Sequence, residues 1–417
     1  MKSKEMAGEC ARVLMLGVGG YGHHYIEGLR ALRAAGEAKL VAIVDPAVEQ
    51  AMDWPELKAL GVPVFTSLQA FLGASLEVDL AVVATPISFH ADHSCALLEA
   101  GINVLCEKPI AATAAEVERM RAARDASGQF LEIGYQWSFS ETMQNLKADI
   151  LKGIYGKAEQ LSTRVAWPRP QSYYSRNNWA GKIYNGQGRP VYDSPVNNAT
   201  AHFLQNMFFM LGPSAELSAT PTRLAAECYR ANPIENFDTA CIKIETLEGP
   251  PIYFYTTHAV EANDGPVFSY QFETAEVRYR LGGDVVAYLK DGSTKNYGDP
   301  ESTHMRKLES CVRKCLGGTQ SSATSSVEAA SAHTYCVEAL QDIPVHALAE
   351  EFVAKKQVNP GDTLRYIPGM EAVLKSAFDQ NKLFAELNLP WAVDAATKVE
   401  VLMPDHGIEY SACGAYI

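Results

Sequence analysis

The chain has 417 residues, 36 Lys and Arg against 49 Asp and Glu, and a hydrophobic fraction of 47%. The length allows two or three domains, and the composition is that of a folded globular protein, which excludes wholesale disorder. The formal net charge of −13 repels phosphate backbones and anionic bilayers, so neither nucleic acid nor a membrane is expected as a partner. No apolar run reaches the roughly 20 residues that span a bilayer.

Lys2 and Lys4 precede Val13-Leu14-Met15-Leu16, a run too short and too glycine-rich at its end for a signal segment, so a cytoplasmic protein is expected. The nine cysteines run from Cys10 to Cys413 and are odd in number, which favours buried reduced thiols over a disulfide framework. Cys311 and Cys315 lie one helical turn apart, but no second Cys/His pair follows at zinc spacing, and no metal is expected.

In chain order, Arg12 to Leu16 reads as a strand running into Gly17-Val18-Gly19-Gly20-Tyr21-Gly22. A helix follows with Tyr25, Leu29 and Leu32 on one stripe, then a strand over Leu40 to Asp45, a helix around Glu56 to Leu60, and a strand over Val62 to Phe65. Leu80 to Ala84 is apolar on both faces, as a central parallel strand requires. Ala91 to Ala100 reads as a helix, Asn103 to Cys106 as a strand, Ala114 to Ala126 as a helix and Phe130 to Ile133 as a sixth strand. Such alternation implies a parallel sheet with right-handed crossovers.

A Gly-x-Gly-x-x-Gly run alone is weak evidence. Here Gly17, Gly19 and Gly22 follow a predicted strand, open a helix, and precede Asp45 at the tip of the next strand, 23 positions after Gly22. That context is the dinucleotide fingerprint: the glycines allow a tight turn, close approach of the pyrophosphate and close helix packing, and the acid accepts from the ribose. Asp45 repels a 2′-phosphate, and Pro46-Ala47-Val48-Glu49 supplies no cation to bind one, so NAD is favoured over NADP.

Ala84-Thr85-Pro86 with His90, and Glu107-Lys108-Pro109 at the fifth strand's end, complete a spacing that resembles the Gfo/Idh/MocA family of oxidoreductases over the first 135 residues. The resemblance implies a dinucleotide-binding Rossmann domain over residues 1–135. A C-terminal α/β domain with a large, mostly antiparallel open sheet would follow over residues 136–417. The late helix 326–340 would pack back on the first domain, and a homodimer or homotetramer would form through the C-terminal sheet. It implies cofactor contacts from Gly17, Gly19, Gly20, Tyr21, Gly22, Asp45, Thr85, Pro86, His90, Glu107 and Lys108.

Beyond residue 135, strand-like alternation covers 158–165, 224–229, 239–244, 252–257, 268–273 and 276–279, with one face covered and one solvated. Helical patterns fall at 194–211, 305–316 and 326–340. The segment after residue 345 reads as ordered surface or an oligomer contact.

Parallel sheets bind ligands at the carboxyl ends of their strands. Lys108 lies there and is suited to hold the reacting oxygen of a secondary alcohol. His202 is the second catalytic candidate: an imidazole accepts a hydroxyl proton near neutral pH. The segment leading to it resembles a family segment with an Asp and a His one helical turn apart and a Gly ten residues on; His202 and Gly212 match it, but the Asp is Asn198 here. The family often has an Arg after the sixth strand, where this chain has Ser138. Candidate substrate contacts are Asn198, Tyr135, Trp167 and Asp193. The stretch Trp167 to Tyr192 is rich in Trp, Tyr and Arg and reads as a long loop, either contacting a sugar and its anionic groups or serving as an interface arm.

The reading reached is an NAD-dependent dehydrogenase acting on a sugar, polyol or sugar acid. Alternatives are NAD-assisted glycoside cleavage through transient oxidation, and a catalytically silent NAD-binding regulator.

Overall fold

A computed structural model describes residues 10–318 and 324–403. Lys2, Lys4, Cys413 and the aromatic tail end at Tyr416 lie outside the described residues. The first domain is built from β1 (Ala11–Leu16), α1 (Gly22–Ala34), β2 (Ala38–Val44), α2 (Trp54–Leu60), β3 (Val64–Phe65), α3 (Leu68–Gly73), β4 (Leu80–Val83), α4 (His90–Glu99), β5 (Asn103–Cys106), α5 (Ala114–Ser127) and β6 (Leu131–Ile133). The six strands form a parallel sheet in the order β3-β2-β1-β4-β5-β6. Val13 to Leu16 and Leu80 to Val83 are fully buried, because helices cover both faces of the central strands. Local chemistry sets the helix ends. Thr113 and Glu116 form a capping box at the start of α5, and Gly128, left-handed, closes it.

After α6 (Gln136–Phe139) and α7 (Glu141–Leu151) comes β7 (Ala158–Ala166), then α8 (Gln171–Ser175) and α9 (Ala201–Leu211). Seven strands follow: β8 (Pro221–Arg230), β9 (Thr239–Thr246), β10 (Ile252–Thr257), β11 (Asp264–Phe272), β12 (Ala275–Arg280), β13 (Val285–Leu289) and β14 (Thr294–Gly298). The rest is α10 (Arg306–Cys315), α11 (Val327–Ala339), β15 (Val345–Ala347), the hairpin β16 (Ala354–Asn359) and β17 (Asp362–Tyr366), α12 (Met370–Gln380) and β18 (Thr397–Glu400). The second sheet runs β14-β13-β12-β11-β7-β10-β9-β8-β15, with β18 added on β8. It is antiparallel except for the β7–β10 and β8–β15 pairs. The sequence pattern does not register β13 and β14, and the expected helix 194–211 begins only at Ala201, after a turn containing Pro195.

One face of this sheet, with Leu161, Val165, Ile242, Phe254 and Phe268, joins a continuous core with α9, α11 and the first domain. α9 is buried on nearly every side and accordingly rich in apolar residues, with Gln205 and Asn206 buried among them. Both α10 and α11 lie against the first domain. Leu308 and Val312 of α10 share a core with Tyr25 and Leu29 of α1, while Glu338 of α11 accepts from the Ala114 amide at 2.8 Å.

The opposite face departs from the expected solvated surface. Tyr229, Cys241 and Tyr255 point outward and are fully buried beneath Met370, Leu374, Phe384 and Trp391. The segment after residue 345 is therefore, in large part, a cover that the chain lays over its own sheet. The remaining outer rows, Ser269, Gln271, Glu276, Arg278 and Arg280, are half-buried to exposed and polar. The eight described cysteines are all unpaired. None of the described helices is long and apolar enough to cross a membrane.

Lys147 on α7 is 1% exposed. It donates to the Leu217 carbonyl at 2.6 Å and sits 3.7 Å from the Phe209 ring centroid, with no carboxylate in ion-pair range among the described residues. Burial pushes its pKa down to about 7. An unfolded lysine titrates near 10.4, so between about pH 7 and 10 the unfolded chain binds more protons and stability rises with pH. Lys147→Met is expected to stabilise the protein by roughly 1–4 kcal/mol at pH 7, with the gain shrinking towards pH 10. Calorimetric melting at the two pH values checks it.

Candidate active site

The glycine turn between β1 and α1 is shaped by main-chain contacts. Gly17 has φ +81°, and a Cβ there would lie 2.8 Å from the Ala84 carbonyl oxygen. A Cβ on Gly22 would lie 2.5 Å from the Gly17 oxygen. At Gly19 a Cβ would meet nothing within 4 Å, so the open side of the turn is free for a diphosphate to approach the backbone. The amides of Gly22, His23 and His24 are taken by the Gly19, Gly20 and Tyr21 carbonyls, while those of Gly19, Gly20 and Tyr21 have no partner among the described residues and are the donors the turn offers at the N-terminus of α1. Gly20 and Tyr21 complete the turn. Asp45 stands beside it and accepts from the Val18 amide at 2.9 Å and the Ala47 amide at 2.7 Å. These residues fit NAD: Gly17 to Gly22 would face the diphosphate and Asp45 the ribose.

Across the turn, Thr85 and Pro86 follow β4. His90 is buried, and its two ring nitrogens meet the Thr85 and Pro109 carbonyls, each at 2.8 Å. It braces the two strand-end loops and has no nitrogen left for a ligand, unlike the contact the resemblance implied.

At the tip of β5 the site gains a residue that sequence spacing does not indicate. Glu107 is buried and accepts from Tyr25 at 2.6 Å, from the Lys108 amide at 3.0 Å, and from the ammonium of Lys307, which is fully buried on α10. Lys307 also donates to the Gly134 carbonyl and the Tyr21 hydroxyl, both at 3.2 Å. His304 lies 2.8 Å from the same hydroxyl. Burial opposes both charges. At Glu107 the attraction of Lys307 prevails and holds the carboxyl below its ordinary range, whereas at Lys307 burial prevails and lowers the pKa.

The second domain meets this tip through Lys108, whose Nζ donates to the Asn198 carbonyl at 2.7 Å. The Lys108–Pro109 bond is cis. Burial pulls Lys108 down to about 8, against the opposing pull of Glu107. The Asn198 amide donates to Asp193 at 2.8 Å, and the other Asp193 oxygen accepts from the Gly181 amide at 2.6 Å. Burial raises the Asp193 carboxyl above its ordinary value. Asn198 lies in the turn before α9, and His202 in its first turn. The His202 Nδ1 is sealed from solvent with no hydrogen-bond partner among the described residues. Burial, reinforced by Lys108 and Lys307, holds the ring far below its ordinary pKa and hence neutral.

Tyr135 is buried, presents its ring edge-on to His202 at 5.8 Å, and meets His333 Nδ1 at 2.9 Å. The Nε2 of His333 faces the Val196 carbonyl at 3.0 Å, so that nitrogen carries the proton and Tyr135 donates. Trp167 donates to the Gly265 carbonyl at 3.0 Å and packs its edge on Phe203 at 5.6 Å. Ser138 is buried on Gln205 at 3.3 Å. Lys108, Asn198, Asp193, His202 and Tyr135 are thus linked or adjacent, and Trp167 reaches the group through Phe203. A hollow of about 580 Å³ lined by Ile150, Met210 and Pro250 shares no residue with them.

Residues 11–135 match a sequence family described as an oxidoreductase family with an NAD-binding Rossmann fold. Among curated proteins, the chain is similar to the rhizopine catabolism protein MocA of Rhizobium meliloti, 30% identical over 36% of this chain and 45% of that protein. It is also similar to D-glucoside 3-dehydrogenase of Escherichia coli, 30% identical over 31% of this chain and 36% of the relative. The matched segments span less than half the length of these relatives. Among solved structures, the WlbA dehydrogenase from Bordetella pertussis, in complex with NADH and UDP-GlcNAcA, superposes with a TM-score of 0.63. It shares 22% identity over 79% of this chain and 95% of that one. Neither glycoside cleavage nor a silent regulator is favoured by these matches. Over residues 11–135, with the glycine turn and the strand-end motifs, the chain matches the Gfo/Idh/MocA oxidoreductase family, and its two-sheet fold is shared with the solved dehydrogenase.

Proposed function

We propose that the protein is an NAD-dependent oxidoreductase that moves hydride between a secondary hydroxyl of a sugar, polyol or sugar acid and the nicotinamide. The observation that carries this reading is the meeting of Lys108, at the cofactor domain's β5 tip, with the Asn198–His202 segment of the second domain at 2.7 Å. Preference for NAD over NADP rests on the Asp45 carboxylate beside the glycine turn. The eight free thiols among the described residues suit a reducing cytoplasm.

When bound, NAD supplies the hydride acceptor. Lys108, steadied by the Asn198 carbonyl, holds the reacting oxygen and stabilises the negative charge that develops on it. His202, neutral and lacking a partner at Nδ1, takes the hydroxyl proton. Asp193 fixes the Asn198 side chain, which replaces the family's carboxylate as a positioning group. Tyr135 and Phe203 wall the imidazole from bulk water.

His202→Asn is expected to lower kcat by about 10²–10⁴-fold while leaving the thermal shift caused by NAD intact. A screen of sugars with NAD present, followed by NADH absorbance, measures both. Unchanged turnover would remove His202 from proton transfer, and a missing NAD shift would remove the cofactor assignment.

A further inference from the structure

The loop between β7 and α9 carries two guanidinium groups without counter-ions. Arg176 lies over the Tyr173 ring at 3.6 Å and the Trp179 ring at 5.3 Å. Arg169 lies over Tyr173 at 5.0 Å and Trp167 at 5.8 Å. Arg176 donates to the Tyr173 carbonyl at 2.5 Å and Arg169 to the Pro168 carbonyl at 3.3 Å, and Arg169 also bonds to the Tyr173 hydroxyl. The Nε of Arg169 is sealed from solvent and has no acceptor. Among the described residues neither has a carboxylate in ion-pair range, although the chain carries 13 more acids than bases. Arg164, Arg189 and Arg365 by contrast are paired, with Asp264, Asp92 and Glu350, although Arg230 on β8 bonds only to main-chain carbonyls among the described residues.

This cluster adjoins the site. Trp167 packs on Phe203, the neighbour of His202. Asp193, which holds Asn198, feels the charges of both Arg176 and Lys108. Its oxygens are already taken by Gly181 and Asn198. Asp193 therefore faces the catalytic turn and forms no ion pair with the arginines. The aromatic faces hold the two guanidinium planes in place, so their N–H forks are pre-ordered for an oxyanion.

We infer that the substrate carries an oxyanion, a carboxylate or a phosphate on the sugar, and that Arg169 and Arg176 clamp it while the hydroxyl to be oxidised lies at Lys108 and His202. The inference rests on the dehydrogenase reading for the position of that hydroxyl. The clamp itself is tested by binding.

The test is calorimetric titration, with and without saturating NAD, of D-glucuronate, D-galacturonate and D-glucose 6-phosphate against their neutral parents D-glucose and D-galactose. An acidic member should bind at least about tenfold more tightly than its parent, and the margin should fall as salt is raised. Arg169→Gln and Arg176→Gln should each weaken that binding roughly tenfold or more, with the NAD-induced thermal shift unchanged as evidence of folding. Uronates binding ahead of the phosphate identify a carboxylate, and the reverse identifies a phosphate. Equal binding of charged and neutral sugars, no binding of any acidic member, or acid binding that survives the double variant would overturn the clamp, even where NAD binds and NADH forms. Acid binding that depends on both arginines, in a protein that fails to bind NAD, would uphold the clamp and overturn the dehydrogenase reading.

Discussion

Lys108→Ala is expected to lower kcat by about 10²–10³-fold while NAD still binds, because the glycine turn and Asp45 do not depend on that amine. The same residue sets a pH limit. Burial pulls the ammonium down to about 8, so in the free enzyme its charge is present below that value and lost as pH rises through it. The kcat/KM profile should therefore fall above about pH 8. Lys108→Arg, whose charge persists, should move that limb out of range at reduced overall rate. Single-turnover measurements of NADH formation separate this from product release. Wild-type turnover in the alanine variant would leave the β5 tip without a chemical role.

Lys307→Met is expected to cost about 3–5 kcal/mol of stability, the largest single-site loss foreseen outside the apolar core. It leaves Glu107 buried with its neutral donor Tyr25 and the Lys108 amide but without its counter-ion. The orphaned carboxyl should then titrate above its unfolded value of about 4.3. Such a group contributes stability at low pH that is lost as pH rises through its folded pKa. The variant should thus recover part of its loss on acidification, and Glu107→Gln added to Lys307→Met should restore most of it at neutral pH. Thermal melts across the acid range read both effects, and a pH-independent loss would point to packing alone.

The contrast between these two lysines explains what was legible in the sequence. Lys108 is found because its neighbours are local: a buried strand ends at Cys106, and Glu107-Lys108-Pro109 follows at the place where parallel sheets bind ligands. The glycine turn and Asp45 are legible for the same reason, since each belongs to one strand–turn–helix unit. Lys307 is separated from Glu107 by 200 positions, and no periodicity in α10 announces that it points at a buried carboxylate. The Asn198–Asp193 link escapes in a similar way: both residues were singled out, yet a turn, not a helix, brings them together. The outer sheet face was misread because alternation reports which residues differ in polarity and not what covers them. Tyr229, Cys241 and Tyr255 were a visible apolar row whose cover lay more than a hundred residues on.

That cover has a bearing on assembly. A second copy seated on this sheet would find the β8–β9–β10 side already roofed by the chain's own α12, and would meet instead a strip bearing Glu276, Arg278 and Arg280. Contact across such a strip is governed by matching of opposite charges and weakens in brine. Without the roof, two outward tyrosine rings and the thiol between them would be left wet, the kind of greasy exposure that drives proteins into clumps.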